Sequence, residues 1–197
     1  GAIKKSCNYF FYELGYRMGI DPVIKYAKLY GLGIKTGIEL SGEEEGIVDL
    51  KKQCEVVSGQ KWQLGDTLSA VIGQSYNNYT PIQVARYVSM IANGGKSVDV
   101  TLIKSITDEN GNKIPKEQYE TKINEKLGIT NIPKVEDLNI KKENLEAILK
   151  GMKGVTSETG GTAYYVFSDL DVDIGGKTGS AETGIKSQVN GWFAGFA

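Results

Sequence analysis

The chain closes on two alternating runs, DVDIGGKTGSAET (171–183) and QVNGWFAGFA (188–197), joined by the short link GIKS. Side chains of a strand point to opposite faces in turn, so two such runs across a short connection read as adjacent antiparallel strands. Upstream, the period becomes helical. Phe10, Phe11, Leu14 and Met18 recur on one predicted helix face until Gly19. Asp21-Pro22 then opens a second helix, with Asp21 as its N-cap, and Val23, Ile24, Ala27, Leu29 and Tyr30 carry it to Gly31. Thr80-Pro81 caps another helix, with Ile82, Ala85, Val88 and Ile91 expected inward and Asn93-Gly94-Gly95 as its stop. One more is expected from Lys142 to Lys153. Helices through the middle with strands at one end make an α+β layout.

The intervening segments are less regular. GLGIKTGIELSGEEEGIV (31–48) reads as a glycine-rich loop with short extended pieces, and residues 66–75 as a short helix or turn entering a polar loop. Residues 97–114 alternate and turn at Asn110-Gly111, the signature of a hairpin. Residues 115–140 are charged without a strong period and read as a surface excursion.

Composition narrows the chemistry. Lys and Arg number 23 against 24 Asp and Glu, a net charge of −1 that argues against a nucleic-acid partner. Histidine is absent, which removes the commonest general base and the commonest metal ligand. Catalysis by such a chain must use lysine, serine, tyrosine or carboxylates. Cys7 and Cys54 fit no zinc or redox spacing, and read as reduced thiols. No metal and no cofactor are expected. No apolar run is long enough to span a membrane.

Two clusters have the right residue types for a site. In the first strand Lys177 and Gly179 share one face while Thr178 and Ser180 share the other. A glycine within a strand often marks close approach by a ligand or another backbone. A fixed cation beside two hydroxyls suits a carboxylate laid along a strand edge, with backbone N–H groups left to stabilise an oxyanion. The plainer alternative is an edge strand blunted by lysine. Ser6-Cys7-Asn8, at the entrance of the first helix, is either a capping turn or a hydroxyl that relays a proton beside an amide that fixes a substrate carbonyl.

Taken in this order, Ser6-Cys7-Asn8 and Lys177-Thr178-Gly179 resemble two motifs of the penicillin-binding protein transpeptidase domain. That family lines one cleft with Ser-x-x-Lys, Ser-x-Asn and Lys-Thr-Gly. SCNYFFYELGYRMG, YGLGIKTGIELSGEEEG, AVIGQSYNNYTPIQVARYVSMIANGG and GGTAYYVF are similar to the class B, monofunctional members, with residues 97–140 least distinctive. The resemblance implies a D,D-transpeptidase that cross-links peptidoglycan through an acyl-serine. Lys177 and Thr178 would grip the terminal carboxylate of a D-Ala-D-Ala stem peptide or of a β-lactam. Ser180 would add a hydroxyl contact and a backbone N–H for the oxyanion. Ser6 would pass a proton to the leaving amine with help from Lys177, and Asn8 would hold the substrate amide. Gln74 and Tyr76 would support the cleft structurally. The resemblance further implies a membrane glycosyltransferase partner and a parent anchored by an N-terminal helix at the outer face of the bacterial cell membrane.

One departure stands out. The family's first motif precedes the second, and only five residues precede Ser6. Residues 1–197 are therefore expected to be part of a transpeptidase domain, without the upstream Ser-x-x-Lys segment and without the final strand and helix. Ser58-Gly59-Gln60-Lys61 has the first motif's spacing but the wrong order and a loop-like setting, and reads as a decoy. A serine β-lactamase remains an alternative, with Glu43-Glu44-Glu45 as the conceivable deacylating base. A non-catalytic β-lactam sensor is another.

Overall fold

In the computed structural model, which describes residues 1–130, 132–185 and 187–197, the chain opens with α1 (Asn8–Met18), α2 (Asp21–Leu29), α3 (Leu50–Ser58), α4 (Leu64–Ala70) and α5 (Pro81–Ala92). A small hairpin of β1 (Ile106–Thr107) and β2 (Lys113–Ile114) leads to α6 (Lys116–Leu127). Then come α7 (Lys142–Ser157), α8 (Tyr164–Phe167), β3 (Gly175–Glu182) and β4 (Val189–Phe196). The expected α+β layout is present. β3 and β4 pair antiparallel from Gly175 opposite Phe196 to Glu182 opposite Val189.

This terminal hairpin is seated on helices. Ala194 and Phe196 pack against Val88 and Ile91 of α5 and Met152 of α7. Gly175 lies beneath the Phe196 ring, where a Cβ would come within 2.5 Å, so glycine is required there by packing. The buried Thr156 hydroxyl donates to the Ile174 carbonyl and ties α7 to the start of β3.

A second core gathers Ile20, Leu50 and Ala70, with Val23, Ile24 and Trp62 against it. Here α1 departs from expectation. Its Phe10, Leu14 and Met18 are exposed (51, 39 and 41%), and the buried residue is Gly15. A Cβ at Gly15 would stand 2.7 Å from Val71, so the bare glycine lets α1 approach the end of α4 closely and fixes the helix rotation. Close approach has won over the apolar stripe.

α5 carries the predicted Thr80 cap, which Gln83 completes as a capping box, but only half of the predicted inward face, Val88 and Ile91. Ala85 is exposed and Ile82 half-buried, while Gln83 and Arg86 are buried beside Val88, Met90 and Ile91. The loop 31–48 lies over this face, and its backbone carbonyls need donors. Gln83 Nε2 donates to Ile34 O at 2.7 Å and Glu45 O at 2.8 Å, and Arg86 Nη2 donates to Gly31 O at 2.5 Å.

Other boundaries shift for local reasons. Asp21 lies within α2 and makes no capping bond, its carboxylate pairing instead with Lys51 Nζ at 2.6 Å. α3 was not expected. It begins at Asp49, whose side chain accepts from Lys52 N, and ends at left-handed Gly59. The hairpin at Asn110-Gly111 forms, with strands of only two residues each. The surface excursion contains α6, which buries no residue, while Asn131 lies outside the described residues. α7 runs past Lys153 to Ser157.

Candidate active site

Ser6 sits in a tight turn, its N–H donating to Ile3 O at 3.1 Å and Cys7 N–H to Ala2 O at 3.0 Å. Its φ of +49° is uncommon for a side-chain-bearing residue and marks backbone strain, which concentrates at functional sites. Cys7 takes the N-cap position of α1 and no side chain caps the helix, so the capping-turn reading of Ser6-Cys7-Asn8 is set aside. The Ser6 hydroxyl turns elsewhere: Lys177 Nζ donates to Ser6 Oγ at 2.7 Å across 171 residues of sequence.

Lys177 reaches this point because of strand register. It lies opposite Ala194 on β4, and Ala194 packs on the α5–α7 core, so Lys177 occupies the helix-facing side of the hairpin. It is half-buried, and desolvation pushes its ammonium below the ordinary lysine value. Lys177 Nζ also donates to its neighbour's carbonyl, Thr178 O, at 2.7 Å. The edge-strand alternative fails on this point, because a blunting lysine would project into water.

Thr178 lies on the opposite face, across from Phe193, and its hydroxyl meets Thr162 Oγ1 at 2.7 Å. Ser180 follows on the same face, and its backbone carbonyl accepts from Gln74 Nε2 at 3.1 Å. At Gly179 a Cβ would meet only Trp192 Cβ, at 3.6 Å, an ordinary contact. Folding therefore does not demand glycine there, in contrast to Gly175. Asn8 heads α1 and is exposed two residues beyond Ser6. Among the described residues, the structure thus joins Ser6 to Lys177 directly, and sets Thr178, Gly179 and Ser180 along the same strand.

Two participants went unread in the sequence. Thr162 is anchored by its N–H to Lys4 O at 3.3 Å, and so couples the segment before Ser6 to β3. Lys4 adds an ion pair to Glu158 at 2.6 Å, which holds the Glu158 carboxyl below its ordinary range. The glycines before Thr162 were the available signal: Gly161 abuts the backbone carbonyls of Gly154 and Val155, where no side chain fits. Gln74 was read only as support, yet its carboxamide touches β3 itself.

The competing candidates are placed differently. Ser58 is the last residue of α3 and not in a loop. Its hydroxyl donates to Cys54 O at 2.8 Å and accepts from Gln60 N at 3.1 Å. Glu43 accepts from Thr36 N, Thr36 Oγ1 and Gly37 N at 2.6–3.0 Å, and so braces the 31–48 loop. A carboxylate so fully committed is poorly suited to activate water. Surface cavities of about 300 Å³ beside Phe167 and Ile174, and about 500 Å³ beside Lys51 and Trp62, include neither Ser6 nor Lys177.

Comparisons with known proteins point to one family. The chain is 30% identical over 210 residues to the peptidoglycan D,D-transpeptidase MrdA of Haemophilus influenzae, covering all of this chain and 30% of that protein. The structure of PBP2 in complex with MreC from Helicobacter pylori aligns with a TM-score of 0.76 and 28% identity, over 100% of this chain and 32% of that one. Pseudomonas aeruginosa PBP2, solved in complex with WCK 5153, aligns with a TM-score of 0.77 and 27% identity, over 100% and 40%. This chain therefore spans less than half the length of these relatives. The family model for the penicillin-binding protein transpeptidase domain matches residues 1–197. The chain belongs to the penicillin-binding protein transpeptidase domain family.

Proposed function

We propose that the protein containing this chain is a peptidoglycan D,D-transpeptidase of class B and a target of β-lactams. The observation that carries the reading is the 2.7 Å bond from Lys177 Nζ to Ser6 Oγ, which joins two polar groups from opposite ends of the chain. In this reading the nucleophilic serine and its lysine lie upstream of Gly1. The serine oxygen attacks the carbonyl carbon of the penultimate D-alanine, and the C–N bond to the terminal D-alanine breaks. The serine proton ends on the departing amine, relayed through the Ser6 hydroxyl beside Lys177. The amine of a second stem peptide then attacks the ester, forming the cross-link and returning a proton to serine oxygen.

Each residue of this chain has a physical task. The Lys177 ammonium and the Thr178 hydroxyl attract the substrate carboxylate, and partial desolvation strengthens that charge-assisted contact. Gly179 keeps β3 low enough for a chain to lie beside it, and the Ser180 N–H faces the developing oxyanion. Asn8, exposed at the head of α1, holds the substrate amide. The parent is assigned to the outer face of the cell membrane, tethered by an upstream helix and working with a membrane glycosyltransferase. A protein akin to the MreC found in complex with the Helicobacter pylori relative is a further partner.

The test is intact-mass analysis after incubation with fluorescent penicillin. The full-length protein should form one adduct, on a serine upstream of Gly1. An adduct on Ser58, or none at all, overturns the reading.

A further inference from the structure

Peptide N–H and C=O groups alternate between the two edges of a strand, both groups of one residue pointing the same way. Thr178 and Ser180, two residues apart on β3, therefore present their peptide groups to one edge. Side chains reach both carbonyls: Lys177 Nζ, from β3 itself, takes Thr178 O, and Gln74 Nε2, from outside the hairpin, takes Ser180 O. Because Gln74 approaches Ser180 O from outside the hairpin, that edge is taken as the one turned away from β4, where an extended peptide can add as a third strand.

Gln74 is held so that its side chain meets this edge. Its own N–H donates to Ser69 O at 3.0 Å, and its carbonyl accepts from Asn77 Nδ2 at 2.7 Å. The next residue, Ser75, has a φ of +66°, a strained turn for a non-glycine residue. The preceding helix α4 is itself clasped to α1 through Val71 and Gly15. The backbone is thus fixed while the carboxamide, only partly buried, extends to β3. A primary carboxamide is the side-chain equivalent of a peptide group, with the same donor and the same acceptor.

The geometry points to Gln74 as a specificity-determining residue: its carboxamide stands in for the amide of an incoming chain at the Ser180 carbonyl. The inference rests on the transpeptidase reading and goes beyond it. An acyl donor whose secondary amide N–H bonds to that carbonyl must displace Gln74. A donor without such an N–H does not compete with it. Gln74 therefore sets how strongly the site discriminates between the two kinds of donor.

The experiment uses the full-length protein and two probes, benzylpenicillin, which carries a secondary amide beside its β-lactam ring, and imipenem, which carries a hydroxyethyl group there. The readout is the ratio of their second-order acylation rate constants. Gln74→Met keeps the side-chain length but has no donor, and should raise the benzylpenicillin-to-imipenem ratio roughly threefold to tenfold, the scale of one exposed hydrogen bond released. Gln74→Glu, whose ionised carboxylate cannot donate to a carbonyl, should raise it in the same direction at neutral pH, and serves if the first variant folds poorly. A merely structural role would lower both rate constants together and leave the ratio within about twofold, a result that overturns the inference alone. A wild-type protein that reacts with neither probe overturns the transpeptidase reading, and this inference with it.

Discussion

Ser6 and Ser58 both sit beside a helix end, and both belong to a serine motif that carries a candidate lysine or amide partner. At Ser58 the hydroxyl bonds within its own helix terminus, to Cys54 O and Gln60 N, and the nearby Lys61 takes no part. At Ser6 the local bonds are made by the backbone alone, and the hydroxyl accepts from a lysine 171 residues away. A locally satisfied hydroxyl terminates a helix, whereas one held by a distant, half-desolvated cation has a geometry that chemistry can use. Sequence distance by itself does not make the distinction. Gln83 also bridges nearly fifty residues, yet it is fully buried and holds carbonyls that would otherwise go unpaired. What separates Ser6 is distance combined with partial exposure.

The sharpest way to break this comparison is to remove the cation. In the full-length protein Lys177→Ala should lower acylation by fluorescent penicillin on the order of a hundredfold or more, the scale of losing a charged stabilising donor. Thermal stability should change little, because a half-exposed strand lysine contributes about 1 kcal/mol at most. A rate constant within about twofold of wild type would remove Lys177 from the site.

The two serines can then be compared directly. Ser6→Ala should slow acylation roughly tenfold to a hundredfold, toward the lower end of what a positioned proton-transfer group provides. Ser58→Ala should leave the rate constant unchanged and lower stability by about 1 kcal/mol, the value of one local hydrogen bond. Equal effects of the two substitutions on acylation would erase the distinction. The thiols offer a milder probe of the same contrast. Cys7 is half-buried beside Ser6, whereas Cys54 is 2% exposed in the core. A bulky alkylating agent should label Cys7 slowly in the free protein and several-fold more slowly after β-lactam acylation, with Cys54 insensitive to drug. Drug-independent labelling of both would place Cys7 away from the cleft.

How much of this was legible in advance depended on whether a signal was local. The β3–β4 pair was read correctly because alternation and a short link are contained within residues 171–197. The pieces Ser6-Cys7-Asn8 and Lys177-Thr178-Gly179 were found by their residue types and order, but their contact depends on which face of β3 meets helices, and α5 and α7 decide that. α1 failed for a similar reason: its stripe of Phe10, Leu14 and Met18 was visible, but Gly15 against Val71 set the rotation. α6, KEQYETKINEKL, is polar around its whole circumference and carries an exposed Lys116–Glu120 pair in place of a buried face, so no period announces it. Gln83 and Arg86 are buried as donors for a loop that lacks regular structure, a need invisible from α5 alone.

The smallest expected effect separates the two serines by pH. Burial lowers the folded-state pKa of Lys177 below its ordinary value of 10.5. The unfolded chain therefore holds that proton more tightly, and the buried ammonium costs stability at every pH below the folded pKa. As pH rises from there toward 10.5 the unfolded lysine also loses its proton, and the cost disappears. Wild type should thus gain stability relative to Lys177→Met as pH is raised from 7 towards that value, by less than about 1 kcal/mol because the group is half-exposed. Tyrosines also ionise in this range, but they are common to both proteins and cancel in the difference. Among the described residues Ser58 meets no lysine side chain and lies near Cys54 Sγ and Tyr76 instead, so the difference between wild type and Ser58→Ala should not carry the rise expected for Lys177. Thermal melts of the three proteins at matched ionic strength supply the measurement. A wild-type-to-Lys177→Met difference that is constant with pH would mean that Lys177 is solvated like any surface lysine, and the Ser6–Lys177 contact would then be no more than a surface hydrogen bond.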